Sequence, residues 1–283
     1  MIEVVFLVSL ALIWMIFASL QDLKKNIVAN WLNFSLIAFA LGFRLFYSLF
    51  SADFNFLYQG LIGFGIFFLI GNALYYGRVF AGGDAKLMIA LGAILPLSDS
   101  FIINAKIFLI FFILFLFAGA FYGLIWSFFL TAKNFREFKK ETGKFFGIYG
   151  KIYALITIFA IILLAFGFFV NPLLIYSSIL VFIFPWLHLY AKAVDESCMI
   201  KNIKTKDLEE GDWLYKDVKI KGRTIRESWD GLSKKEILEI KRKHKEIKIR
   251  KGIPFVPVFL ISFLILIYIY FFNSEMINLW LGF

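Results

Sequence analysis

Long apolar segments follow one another along this chain and limit its possible folds more than any other feature. Most are about 20 residues long, the length of helix that crosses the hydrocarbon core of a bilayer. Hydrophobic residues make up 61% of the 283 positions, and the mean hydropathy is +0.82. The segments lie at 2–20, 31–50, 56–76, 84–97, 103–130, 151–170, 173–190 and 254–273. The sequence therefore predicts an all-α polytopic membrane protein with about eight transmembrane helices.

The fourth segment, 84–97, is the least certain span because a helix of that length extends only about 20 Å. The distribution of charge decides between a crossing and a re-entrant segment. If 84–97 crosses, the basic residues Lys24, Lys25 and Arg78 share one side with the basic segments 133–151 and 191–252. The positive-inside rule makes that side the cytoplasm and places both chain ends outside. The same rule explains the net charge of +10, so we do not expect this protein to bind nucleic acid.

Two basic residues fall inside predicted spans. Arg44 and Lys106 are both near the outer interface in this topology. Long cationic side chains at such depths can extend their charge toward water, so we expect both to snorkel.

Residues 191–252 form the one sizeable polar segment, which predicts three regions. These are a transmembrane region at 1–190, a basic cytoplasmic insert at 191–252, and a last transmembrane helix and tail at 253–283. Alternation around Lys221-Gly222 predicts a hairpin, the spacing of Ser233 and Glu236 predicts a capped helix, and "EIKIRKG" predicts a strand. The insert is therefore predicted to be small and α+β. Its basic surface is predicted to contact anionic lipids, and docking of the substrate is the alternative.

Two aspartates stand at the ends of predicted spans on the same, cytoplasmic side. Asp22 lies at the end of the first span, and Asp84 begins the fourth. Aspartyl hydrolysis needs two carboxylates around one water, one to take its proton and one to protonate the scissile carbonyl. Taken singly, Asp84 could be a helix N-cap, whereas Asp22 would oppose the macrodipole of its own helix. Taken together, they are predicted to be a functional pair.

The macrodipoles also predict roles within the pair. Asp84 would be favoured as an anion at a helix start, and Asp22 disfavoured at a helix end. Two close carboxylates resist double ionisation. On this reasoning Asp84 is the general base and Asp22 the general acid. Gly82 and Gly83 precede Asp84; glycines allow positive φ and close backbone approach, which would suit an extended peptide substrate.

"AGGDAK" at 81–86, together with Asp22 eight residues before Asn30-Trp31, resembles the GxGD-type aspartyl proteases. Within them the chain is most similar to the type IV prepilin peptidases and archaeal preflagellin peptidases. Ala81 replaces the first motif glycine, and Ala29 replaces the usual proline before the motif asparagine. The segments "GDWLYKDV", "GLSKKEILEIKRKH" and "GIPFVPVFL" also resemble the C-terminal region of archaeal members.

The resemblance implies a membrane-embedded endopeptidase that removes the basic leader peptide of pilin-like or archaeal flagellin precursors. Cleavage would take place at the cytoplasmic membrane boundary, and no cofactor is implied. The catalytic pair would be Asp22 and Asp84, supported by motif residues Gly82, Gly83, Lys86 and Asn30. The expected partners are such precursors and membrane lipids.

Two alternatives from other classes remain. A transporter or channel could use Asp22 and Asp84 as an ion or proton site, since intramembrane acids mark ion paths; no internal repeat of the kind that many transporters show is visible. A structural membrane subunit would need no aspartate pair. A metal enzyme is not expected, because His188, His244 and Cys198 are too few and too scattered for a zinc site.

Overall fold

The computed structural model describes residues 2–220 and 223–273 and is mostly helical. The described chain divides into two compact units. One comprises the residues up to 124 and those from 253, and the other comprises residues 125–252. The sixth and seventh helices therefore belong to the second unit, together with the strands. The sequence had assigned these helices to the transmembrane region 1–190.

Nine α-helices and five short strands are present in the described residues. The helices are α1 (Ile2–Lys25), α2 (Asn30–Ser51), α3 (Asn55–Tyr76), α4 (Gly82–Gly92), α5 (Phe101–Lys133), α6 (Phe135–Phe169), α7 (Leu173–Cys198), α8 (Lys234–Lys243) and α9 (Val256–Phe272). The strands are β1 (Ile200–Lys204), β2 (Trp213–Leu214), β3 (Val218–Ile220), β4 (Arg223–Ile225) and β5 (Glu246–Arg250).

Six of these helices are long and apolar enough to cross a membrane: α1, α2, α3, α5, α6 and α7. This confirms a helical, multi-pass membrane protein with a small strand-containing region. The other two predicted spans differ from full-length helices. Helix α4 has 11 residues and α9 has 17, because the chain unwinds after Gly92 and α9 begins only at Val256.

Segment 82–99 nevertheless runs beside α2 from one end to the other. At one end, Lys86 Nζ donates a hydrogen bond of 2.7 Å to Asn30 Oδ1 at the start of α2. At the other, Asn55 Nδ2, just beyond α2, donates to the carbonyl of Asp99 at 2.9 Å. We call the first the aspartate end of this unit and the second the arginine end. The segment covers this length with the short helix α4 followed by the irregular residues 93–99.

The unwound residues after α4 are held by a buried arginine. Arg44 is 0% exposed and donates to the carbonyls of Ala93 (2.9 Å), Ile94 (3.2 Å), Pro96 (2.6 Å) and Phe56 (2.8 Å). Its guanidinium also lies 4.3 Å from the centre of the Phe56 ring. The expectation that Arg44 snorkels is therefore wrong, because carbonyls freed at the end of α4 bind its charge inside the protein.

Helices α3 and α4 approach closely through glycines. A Cβ atom on Gly92 would lie 2.5 Å from Phe67 Cβ and 2.7 Å from the Gly63 carbonyl oxygen. A Cβ atom on Gly63 would lie 2.5 Å from the carbonyl oxygen of Gly92. Small residues let membrane helices pack backbone to backbone, and here they fix the position of α4 against α3.

Gly82 and Gly83 have a different role from the one predicted. Both lie in the first turn of α4, and the positive-φ glycines among the described residues are Gly211 and Gly231. A Cβ atom on Gly83 would meet Val28 only at 3.6 Å, and one on Gly82 would meet Tyr75 at 3.7 Å, both ordinary contacts. The predicted positive φ is wrong, because these residues begin a regular helix.

In the second unit, α6 begins directly after Asn134, so the predicted loop at 133–151 is helical instead. Helix α6 is therefore 35 residues long. It packs along α7, where Tyr153 Oη and His188 Nδ1 share a hydrogen bond of 2.8 Å. Polar and charged residues in its first turns conceal this extension in a hydropathy profile.

The polar region of this unit largely matches its prediction. Strand β5 pairs with both β1 and β2. Strands β3 and β4 form the predicted hairpin, whose turn, Lys221-Gly222, lies outside the described residues. Ser233 and Glu236 form the predicted capping box at the start of α8. Hydrogen bonds from the Ser233 hydroxyl and backbone N–H hold the pKa of Glu236 below its ordinary value.

The buried arginine gives a prediction about stability. Arg44→Met should destabilise the protein by about 3–5 kcal/mol, because the apolar side chain leaves buried carbonyls without donors. Lys106→Met is the matched control, since it removes a cation from a partly exposed position on α5. Unfolding in detergent, followed by temperature-dependent size-exclusion chromatography, measures both. Equal losses in the two variants would contradict the role assigned to Arg44.

The glycines of α4 give a second prediction, with one substitution at two positions of one helix. Gly92→Ala should destabilise by about 1–3 kcal/mol, because the new methyl overpacks against Phe67 and the Gly63 backbone. Gly83→Ala should be neutral or stabilising, since alanine favours helix and the methyl meets only ordinary contacts. The same thermal assay compares them, and a Gly83→Ala variant as unstable as Gly92→Ala would refute this packing.

Candidate active site

Asp22 is carried by the last turn of α1 and points into the first unit. Its residue exposure is 6%, and it lies on the buried face of the helix with Ser19. Its Oδ2 atom accepts a hydrogen bond of 2.9 Å from the backbone N–H of Val256. The backbone N–H of Phe255 also donates to this carboxylate. Asp22 is therefore a buried acid held by the first amides of α9.

Asp84 is carried by the first turn of α4. The N-cap residue of that helix is Ala81, so the alternative that Asp84 is the N-cap is wrong. Asp84 is the third helical residue, and its carboxylate accepts a hydrogen bond from the backbone N–H of Ala81. Asp84 as a whole residue has intermediate exposure, whereas its carboxylate is desolvated by burial. An acid in this position benefits from the positive end of the α4 macrodipole.

The two carboxylates lie at the same end of the bundle and act on each other electrostatically. Tyr122 of α5 is also within electrostatic range of Asp22. The fold thus brings together an acid from the end of one helix and an acid from the start of another. Such a pair can share a proton and act on one water between them.

Two of the supporting motif residues also meet. Lys86 Nζ donates to Asn30 Oδ1, which ties the first turns of α4 to the first turn of α2. Beside this bond, Ala29 N–H donates to Gln21 Oε1 at 3.2 Å and closes the turn between α1 and α2. These bonds position the segments that carry Asp22 and Asp84. Gly82 and Gly83 precede Asp84 in the first turn of α4.

Sequence reasoning missed the part played by α9. Residues 255 and 256 follow Asp22 by more than 230 positions, and they contribute backbone atoms, which no residue-type motif reveals. The only signal was "GIPFVPVFL" in the resemblance, which carries no chemistry by itself.

It also missed two buried polar side chains near these helix ends. Ser19 Oγ and both amide atoms of Asn33 lack hydrogen-bond partners within the described structure. Asn33 is only 1% exposed, and it lies one turn beyond Asn30 on α2. A buried polar group without a hydrogen-bond partner costs about 1–3 kcal/mol of stability, so Ser19 and Asn33 are unfavourable for folding where they lie.

The role prediction for the aspartates considered only the helices that carry them. An exposed helix end changes the energy of a nearby charge by about 0.3–1 kcal/mol. A hydrogen bond to a charged group contributes about 1.5–3 kcal/mol. Two amides from α9 therefore outweigh the unfavourable end of α1 at Asp22. The prediction that placed the proton on Asp22 did not include these amides of α9.

Comparison with known proteins finds one family match. Residues 9–130, which include both aspartates, match the Type IV leader peptidase family. No solved structure gives a significant match.

Three relatives are similar over shorter stretches. A preflagellin peptidase of Methanocaldococcus jannaschii is 32% identical over 84 residues, 30% of this chain and 36% of the relative. One of Methanococcus maripaludis is 30% identical over 82 residues, 29% of this chain and 35% of the relative. The prepilin peptidase EppA of Methanothermobacter thermautotrophicus is 34% identical over 96 residues, 34% of this chain and 25% of the relative.

The matched stretch thus spans about a third of the length of the two preflagellin peptidases. It confirms the resemblance that "AGGDAK" and Asp22 predicted. Residues 9–130 of this chain are therefore similar to the Type IV leader peptidase family.

Proposed function

We propose that this protein is a membrane-embedded aspartyl endopeptidase that removes basic leader peptides from type IV pilin-like or archaeal flagellin precursors. The observation that carries the proposal is the placement of Asp22 and Asp84 at the same end of one helical bundle, where the charge of Asp22 acts on Asp84. The family match and the names of the archaeal relatives support this substrate class.

In the proposed reaction, one carboxylate takes a proton from a water molecule, and the water oxygen bonds to the scissile carbonyl carbon. The other, protonated carboxyl gives its proton to the carbonyl oxygen. The tetrahedral diol then collapses: the C–N bond breaks, and the amine leaves with a proton from the first carboxyl. The second carboxyl recovers its proton from the diol hydroxyl. One water is consumed, and both aspartates return to their starting states.

We further propose that the aspartate end faces the cytoplasm. Within the first unit, Lys24, Lys25, Arg78 and Lys86 lie at this end. Asp53 and Asp99 lie at the arginine end. This asymmetry supports the positive-inside orientation. The eight-crossing topology is part of this proposal, and the contacts of segment 82–99 at both ends of α2 support it.

The dyad is tested by isosteric substitution. Asp22→Asn and Asp84→Asn should each lower precursor cleavage by at least about 10³-fold, because neither amide can move the required proton. Asp53→Asn is the matched control, an exposed aspartate at the arginine end. Co-expression with a precursor that has a basic leader and a following apolar helix, read as a size shift on a gel, measures cleavage. Cleavage at the wild-type rate by either dyad variant would exclude the aspartyl mechanism. The transporter or channel alternative would then remain.

The basic polar region of residues 191–252 is proposed to contact lipid rather than the substrate leader, which is itself basic. Lys241, Arg242 and Lys243 lie exposed in the last turn of α8. Each basic residue near an anionic surface contributes about 1 kcal/mol of attraction. We therefore assign these three to anionic headgroups.

Reversing these three charges to glutamate should leave cleavage in detergent within about twofold of wild type. The same variant in liposomes should lose any stimulation by anionic lipid, because the attraction becomes repulsion. Neutralisation to glutamine is the control that separates lost attraction from added repulsion. Cleavage rates in detergent and in liposomes with and without anionic lipid give the answer. A large loss of substrate binding in detergent alone would assign the cluster to the substrate.

A further inference from the structure

The proposed reaction gives no role to the first backbone amides of α9, although they lie in the site. Val256 and Phe255 both donate backbone hydrogen bonds to the carboxylate of Asp22. Pro257, the second residue of the helix, has no N–H to donate. Val258 donates to the carbonyl of Phe255 at 3.0 Å. Thus, of the first four residues at this helix start, the two with free amides both direct them to Asp22.

This helix start is rigidly held. The ring of Phe255 packs on Phe115 at 5.7 Å and on Phe80 at 6.5 Å between centroids. Phe259 also packs on Phe115, at 4.6 Å. Val256 is fully buried. The amides are therefore fixed in place before any substrate arrives, as preorganised donors must be to stabilise a charge.

The two aspartates differ in the donors that face them. Asp22 receives two amides from a separate helix, whereas Asp84 receives one from Ala81 of its own helix start. The titratable groups that face Asp22 from the neighbouring helices are Asp84 on α4 and Tyr122 on α5. On its own helix, the exposed Lys24 and Lys25 follow it in the last turn. The larger number of amide donors therefore favours the negative charge of the pair on Asp22.

We propose that the start of α9 is a positioning element that holds Asp22 as the anion. Asp22 is then the general base that takes the proton from water, and Asp84 is the general acid that protonates the scissile carbonyl. This assignment rests on the proposed function, and it reverses the roles that the macrodipoles of α1 and α4 alone predict. Val256 and Phe255 contribute backbone N–H groups, so any apolar residue at these positions serves, provided that the helix starts there.

An amide-to-ester exchange tests the proposal at a single atom. Replacing Val256 by its α-hydroxy acid removes the N–H that donates to Asp22 and keeps the side chain. The same exchange at Val258 is the matched control, because it removes one N–H of the same helix whose acceptor is a backbone carbonyl. Both residues are valines and both are fully buried, so the two variants share chemistry and similar loss of stability.

With the Val256 ester, the acidic limb of the profile of kcat/KM against pH should move up by about one pH unit. Below that limb, kcat/KM should fall about tenfold, the scale expected for losing one hydrogen bond to a charge. The Val258 ester should keep the wild-type profile. A Val256 ester whose profile matches that of the Val258 ester would overturn the role proposed for α9. The proposed peptidase function would still stand in that case if the Asp22→Asn and Asp84→Asn variants are inactive.

An infrared measurement without substrate tests the same contact independently of activity. The spectrum of the Val256 ester minus that of the wild type should show a change in a carboxylate stretching band. Making the exchange in an Asp22→Asn background should abolish that change. A change confined to the protonated carboxyl region would mean that Asp22 holds the proton, and the assignment of base and acid would be wrong whether or not the protein cleaves precursors.

Discussion

The binding of four backbone carbonyls by Arg44 is the interaction on which the first unit depends. Helix α4 ends at Gly92, although the segment continues along α2 to Asp99. Unwound backbone inside a bilayer is tolerated only when its polar groups are satisfied within the protein. Arg44 satisfies the carbonyls of Ala93, Ile94 and Pro96, and one from Phe56 at the start of α3. The short α4 can therefore place Asp84 at one end of the bundle while its extension reaches the other.

The opposite end is organised by helix starts. Asp84 lies in the first turn of α4 beside the amide of Ala81, and Asp22 receives the first amides of α9. Helix starts concentrate unpaired N–H groups, so they attract carboxylates into an otherwise apolar interior. The fold thus supplies both the proximity that the proposed chemistry needs and a difference between the two acids.

Several elements could be read from the sequence because their signals are local. Of the eight predicted spans, six correspond to helices that are long and apolar enough to cross a membrane. The capping box at Ser233 and the hairpin strands around residues 218–225 follow from short-range spacing. The pairing of Lys86 with Asn30 matches their shared membership of the motif. Residue types that recur at fixed spacings carry these features, so no knowledge of distant contacts is needed.

Other features depend on contacts between distant segments. Arg44 was expected to reach water. The sequence around Arg44 does not reveal that α4 ends early and leaves backbone carbonyls free to bind its guanidinium. The extension of α6 to Phe135 is concealed because its first turns are polar. Gly82 and Gly83 were expected to adopt an unusual backbone, whereas the tightly packed glycines are Gly63 and Gly92. Each error has the same source, because packing partners decide whether a charge, a loop or a glycine is needed.

The sequence by itself determined a helical membrane protein with two aspartates at the ends of spans, since apolar length and charge placement are one-dimensional properties. Only the tertiary structure decided what surrounds those aspartates. The donors to Asp22 are backbone amides of Phe255 and Val256, on a helix distant in sequence. Nearly every residue has a backbone amide, so no pattern of side chains in the sequence can predict which amides act as donors. They become specific only when packing of Phe255 against Phe80 and Phe115 fixes where that helix starts.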